Sequence, residues 1–238
     1  MLLRRVITTF FCVFILSLFM VLMLCSVTNI TIPVSGSAEE KTRIVIDAGH
    51  GGEDGGAVSD SGVAEKDINL SVANDVSDMF RLLGYEVVQT RDSDNDLSDG
   101  EATTRERKVS DMKKRLEIFD SDPSNTVISI HQNKFTESKY HGTQVFYSPN
   151  NADSSRLAEG IRFSVKSLLQ PENERECKTA DSGIYLLKNT RQPAVIVECG
   201  FISNKEELEK LLDEKYQKKL ALAIATGFLD YKNTDLEV

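Results

Sequence analysis

The 238-residue chain has no tryptophan, three histidines and four cysteines. Cys12 and Cys25 fall in an apolar stretch near the start, so the remainder holds only Cys177 and Cys199, too few for a disulfide framework. Cys199 stands in an apolar run and reads as a small core residue. Cationic excess is missing as well. Arg4 and Arg5 precede the first acid, Glu39, which leaves 26 of the 28 Lys and Arg against all 37 Asp and Glu in residues 39–238. An acidic body disfavours nucleic acid, whose phosphates need clustered cations. There is no internal repeat and no sign of a second domain; the length after the start suits one domain with a sizeable core.

The one long apolar run is Val6 to Val27, 22 residues without a charge. As a helix it would span about 33 Å, enough for the hydrocarbon core of a bilayer. Arg4 and Arg5 before it place the rest of the chain outside the cytoplasm. Its length favours a retained anchor over a signal peptide, whose apolar region is shorter, although Ser35-Gly-Ser-Ala38 offers a cleavage site. The expected organisation is therefore an N-terminal membrane anchor or signal segment (1–27), a tether (28–42) and an exported domain (43–232).

In that domain, short β-branched runs alternate with amphipathic stretches. Strands are expected at Arg43–Asp47, Tyr85–Thr90, Thr126–Ile130, Gly142–Tyr147, Ile184–Leu187 and Ala194–Val197. Apolar residues in steps of three and four predict helices at Glu65–Leu83, around Leu157–Leu168 and at Tyr216–Leu229. Two more polar helices are expected at Thr104–Phe119 and Glu206–Leu212. This pattern predicts an α/β fold: a single domain with a twisted, mostly parallel central sheet of about six strands flanked by helices.

In such sheets, functional residues gather beyond the carboxyl ends of strands. His50 follows the first strand, His131 the third, and Glu198 the last apolar run; Glu65 opens the helix that returns over the sheet from that edge. Two His and one Glu are a ligand set that catalytic zinc uses, with a fourth position left for water. The glycines around His50 permit close approach of a ligand, and they leave a phosphate cradle or a plain turn as alternatives. The stretch matches neither the Walker nor the dinucleotide pattern, and Glu53 and Asp54 would repel phosphate. A carboxylate directly after Pro193–Val197 is costly to bury unless paired, coordinated or catalytic, which marks Glu198 as functional. His141 precedes a strand and is expected at the opposite edge. Asp92-Ser-Asp94-Asn-Asp96 begins like a calcium loop but has Leu97 at position six and Thr103 at position twelve, so it reads as a solvated acidic loop. The mixed charges of Thr104–Phe119 read as a solvated face.

Four motifs, in order, are Ile46-Asp-Ala-Gly-His50-Gly-Gly, Glu65-Lys-Asp-Ile-Asn-Leu70, Ser129-Ile-His131-Gln-Asn133 and Val197-Glu198-Cys-Gly-Phe-Ile-Ser-Asn204. Together they resemble the zinc-dependent N-acetylmuramoyl-L-alanine amidases of bacterial cell walls, over about Arg43 to Leu229. The resemblance implies that His50, Glu65 and His131 ligate Zn2+, that Glu198 is the catalytic carboxylate, and that Asn133 holds the substrate or steadies His131. Gln132 stands where many members have a small residue. The short N-terminal segment, the lack of wall-binding repeats and Thr103-Thr-Arg-Glu-Arg107 look like the germination-specific, spore-cortex branch. Its members strip stem peptides from muramic acid, leading to muramic δ-lactam together with a deacetylase. The implied substrate is peptidoglycan on the cell-wall side of the membrane, in the forespore or cortex space. An exported activator protein is a further expected partner, because wall hydrolases are hazardous when unrestrained. The competing readings are an exported zinc peptidase acting on cross-links and a zinc-holding, inactive peptidoglycan-binding module.

Overall fold

The computed structural model describes residues 42–234. The expected anchor or signal segment and, Thr42 aside, the tether lie outside the described residues. Among the described residues, no helix is long and apolar enough to cross a membrane.

Three strands form the centre: β1 (Arg43–Ala48), β3 (Asn125–Asn133) and β6 (Ala194–Phe201). Their β-branched runs are buried on both faces, as parallel strands covered by helices on either side require. Alternate side chains split between two layers. Ile44, Ile46, Ile128, Ile130, Val195 and Val197 join the core formed with α1 (Glu65–Leu82), α3 (Asp153–Leu168) and α6 (Glu214–Thr234). Val45, Val127, Ala194 and Ile196 face the other way, toward Phe119 of α2 (Thr104–Phe119) and Leu187 of α4 (Tyr185–Asn189). Each fully buried Ile or Phe contributes about 1.5–3 kcal/mol of transfer free energy, so this two-sided burial makes the strand ends a rigid platform.

The sheet order is β2-β1-β3-β6-β4-β5, with β2 at Glu86–Gln89, β4 at Gln144–Tyr147 and β5 at Lys178–Thr179. From β2 to β6 all pairings are parallel; β4 runs antiparallel to β6. The expected α/β class and six-stranded, mostly parallel sheet are thus observed. The sixth strand is a different one, however. The composition of Ile184–Leu187 predicts a strand, but the segment leads into α4. Leu186 and Leu187 are both buried on the same layer, which a strand's alternation forbids, and Lys188 N–H closes a helical turn on Ile184 O. β5 replaces it in the sheet. Being two exposed residues with no apolar pattern, it carries no signal in the sequence.

β3 and β6 also run beyond their apolar stretches. His131 pairs with Glu198 across the two strands, so the residues expected just past the strand ends are built into the sheet itself. Polar caps set the start of two helices: Thr103 and Glu106 form a reciprocal capping box on α2. The short α5 (Lys205–Leu211) is capped by Asn204, whose side chain accepts from Glu207 N–H.

Candidate metal centre

β1 ends at Ala48, and Gly49 N–H still pairs with Ile130 O at 3.1 Å. The chain then turns sharply at His50, which has a left-handed φ of 61°. That turn aims the imidazole across the carboxyl edge of the sheet toward His131; the ring centroids lie 5.0 Å apart, edge to face. Glycine is needed on both sides of the pair for space. A Cβ on Gly49 would sit 2.2 Å from His131 Nε2, and one on Gly56 would sit 2.6 Å from His50 Cδ2 and from Glu65 Oε2.

Glu65, in the first turn of α1, is 4 % exposed and reaches between the two rings. Its Oε2 lies 3.3 Å from His50 Nε2 and accepts from Ala57 N–H; its Oε1 lies 2.9 Å from His131 Nδ1 and accepts from Gln132 N–H and Asn69 Nδ2. Among the described residues, this is the one group of His, Cys, Asp or Glu with metal-ligand spacing, each residue offering an atom within 4.8 Å of the others. Burial disfavours the charge on Glu65, but hydrogen bonds from His131 and His50 outweigh it and hold the carboxyl well below its usual range. His50 also loses solvation, yet its bonds to Asp54 and Glu65 raise it to about 9.

The donor chemistry fits a zinc ion. Asp54 Oδ2 sits 2.8 Å from His50 Nδ1, which fixes the proton of a neutral ring there and leaves the Nε2 lone pair for the site. With a His131 nitrogen and a Glu65 oxygen this makes two imidazoles and one carboxylate, the set zinc takes when a fourth position stays open.

Glu198 faces this cluster from β6. One of its oxygens, Oε2, is buried with no hydrogen-bond partner. Burial, reinforced by the nearby Glu65 and opposed by the two histidines, pushes its carboxyl up to about 7. A carboxyl balanced near neutrality can take up and release a proton. Asn133 ends β3 at a register irregularity, half-buried, with its carbonyl accepting from Ile202 N–H.

Several supporting groups look like surface in the sequence, and the structure corrects that reading. Asp111 and Arg115 of α2 are buried, Arg115 to 2 % exposure. Arg115 donates to Asp47 Oδ1 (2.5 Å), Asp111 Oδ2 (2.7 Å), Ala48 O (2.8 Å) and His50 O (2.7 Å). Arg91, equally enclosed, donates to Ala48 O, Gly49 O and Lys66 O, joining the His50 turn to the start of α1. Asp47 is closed off by Ser129 Oγ and Thr90 Oγ1. The acidic loop after β2 is exposed from Asp92 to Asn95, as expected, and from there Asp94 accepts from Gly52 N–H and pairs with Lys66 Nζ at 2.6 Å. The expectation of His141 at the far edge is also corrected. β4 is antiparallel and sets Gln144 beside Glu198, so His141 lies toward the same edge, exposed and outside the cluster.

Comparison with known proteins agrees in extent. Residues 44–230 match the Amidase_3 family, described as N-acetylmuramoyl-L-alanine amidase. The chain is 36% identical over 202 residues to a germination-specific N-acetylmuramoyl-L-alanine amidase of Bacillus subtilis, covering 84% of this chain and 82% of that protein. Its structure is similar to that of the CwlD amidase from Clostridioides difficile in complex with the GerS lipoprotein (TM-score 0.78, 40% identity, 81% of this chain and 99% of that one). It is also similar to the amidase AmiC2 of Nostoc punctiforme (TM-score 0.69, 29% identity, 81% and 98%).

Proposed function

The chain belongs to the N-acetylmuramoyl-L-alanine amidase family, a class of enzymes acting on peptidoglycan, and from that premise we propose that it works on spore cortex, with zinc held by His50, Glu65 and His131 and with Glu198 as the catalytic carboxylate. The bond cleaved joins the lactyl carboxyl of N-acetylmuramic acid to the amine of L-alanine. The observation that carries the reading is the convergence of one ligand atom each from His50, Glu65 and His131 within 4.8 Å of one another, with Glu198 beside His131 on the neighbouring strand.

A bound zinc ion supplies Lewis acidity, polarising the scissile carbonyl and making water easier to deprotonate. This chain's own residues do the rest. Asp54 keeps the His50 proton on Nδ1, away from the site. Glu198 takes the proton of the attacking water and passes it to the departing L-alanine nitrogen, so the lactyl carboxylate and a free amine result. Its unpartnered Oε2 and its raised pKa support that role. Asn133, two residues beyond His131, holds the substrate or steadies that histidine.

The cortex assignment rests on likeness to the germination-specific relative and to CwlD, and it carries the further proposal that the product feeds muramic δ-lactam formation. Action is on the wall side of the membrane, reached through the N-terminal segment 1–27. An exported lipoprotein is proposed as a partner, because CwlD was solved with one. The test is zinc content measured together with digestion of cortex and vegetative peptidoglycan. Free stem peptides with intact L-alanine amino termini are expected. Cleavage within the stem or cross-link instead would make the chain a peptidase, and binding of peptidoglycan without release would make it an inactive module.

A further inference from the structure

Beneath Glu65 lie two buried amides, Asn69 (0 % exposed) and Gln132 (3 %). Asn69 follows Glu65 by one turn of α1 and donates through Nδ2 to Glu65 Oε1 at 3.2 Å and to Gly49 O at 3.1 Å. A carboxylate and a peptide carbonyl can only accept, so Asn69 must turn its amino group toward them, which leaves its Oδ1 facing down. There Gln132 Nε2 donates to it at 3.2 Å. Neither amide can flip without setting acceptor against acceptor. Gln132 lies on the face of β3 that α1 covers, and its own N–H also donates to Glu65 Oε1 at 3.1 Å. Its Oε1 is buried with no partner, an arrangement that packing alone does not favour.

We propose that Asn69 and Gln132 are positioning residues for the metal: Gln132 orients Asn69, and Asn69 together with the Gln132 N–H locks the rotation of the Glu65 carboxylate before a cation arrives. The inference rests on the reading of His50, Glu65 and His131 as metal ligands. Without the relay, Glu65 remains buried but must be ordered at the moment of binding, so affinity falls while the fold persists.

The experiment measures zinc affinity of the full chain by competition with a chromophoric chelator, with circular dichroism as the check on folding and the Co2+ absorption spectrum as a second readout. Asn69→Ala is expected to weaken zinc about 10–100-fold and Gln132→Met about tenfold, with altered Co2+ bands in both. In the Asn69→Ala background, Gln132→Met should add nothing, because the two act in series. Gln132→Asn, whose amide is one methylene too short to reach Asn69, should match the Met variant and serves if that one fails to fold. Unchanged affinity in folded variants, or fully additive losses, overturns the relay while leaving the metal site standing. A folded wild-type chain that takes up no zinc overturns both.

Discussion

Replacing Arg115 by Met removes a guanidinium that ties α2 to the end of β1. It bonds two carboxylates, Asp47 and Asp111, and two carbonyls, Ala48 and His50, all within 2.8 Å. The methionine fills part of the space but leaves Asp47, which is 0 % exposed, without its cation. Breaking a buried pair by removing one partner costs about 3–5 kcal/mol. In a domain of this size each kcal/mol moves Tm by about 2–4 °C, so thermal unfolding at pH 7 should show a loss of about 6–20 °C. The sign with pH comes from Asp47. Burial opposes its charge, but Arg115, Ser129 and Thr90 prevail and hold its folded pKa below 3.8, so its contribution is present above that value and lost as pH falls through the folded pKa. The gap between wild type and variant should therefore narrow as pH falls, from the raised pKa of the orphaned Asp47 in the variant down through its lowered folded pKa in the wild type. Asp47→Asn in the Arg115→Met background should recover part of the loss, since it removes the orphaned charge. A Tm drop under about 2 °C at pH 7, or a double variant worse than the sum of the singles, would refute the claim that this pair holds the His50 turn.

Glu198→Gln should lower turnover about 10²–10⁴-fold with zinc content unchanged, measured by metal analysis beside a muropeptide assay; near-normal turnover removes Glu198 from the chemistry. In the metal-free protein His50 is protonated below about 9, so zinc must displace a proton at neutral pH. Zinc affinity should rise from pH 6 to 8 by up to about tenfold per unit, and calorimetry in buffers of differing ionisation enthalpy should count the proton released; a flat profile contradicts the His50–Asp54–Glu65 arrangement. Gly49→Ala puts a methyl 2.2 Å from the His131 ring and should abolish zinc uptake while circular dichroism still reports a folded domain.

The layers of this fold are legible in the residues because they rest on period and on apolar runs. Ile44, Ile46, Ile128 and Ile130 have to be buried wherever their strands lie, and the stripe from Ile68 to Phe80 has to lie against them. The parts that escape are local. Ile184–Leu187 has a strand's composition, but its two adjacent leucines serve one layer, and only the neighbouring elements decide that. The antiparallel course of β4 is equally invisible, and with it the edge on which His141 stands, since strand direction is set by pairing and leaves no mark in the residues.

The ligand-spaced residues are legible for another reason: His50 follows β1, Glu65 opens α1 and His131 comes directly after the apolar run of β3, so topology brings all three to one edge. The groups that hold them are not, because they look like surface. Asp111 and Arg115 are four residues apart on a helix whose other charges do meet solvent, and an i,i+4 ion pair is the ordinary mark of an exposed face. They are buried because α2 packs over the end of β1, where the carbonyls of Ala48 and His50 accept from Arg115. The sequence does contain one trace of this. Asp47 interrupts a β-branched run on a strand flanked by helices, and a carboxylate there requires a buried cation from elsewhere in the chain. The same reasoning that singles out Glu198 after Val197 applies to Asp47 after Ile46. The difference is that Asp47 finds its partner within the protein, whereas one oxygen of Glu198 does not.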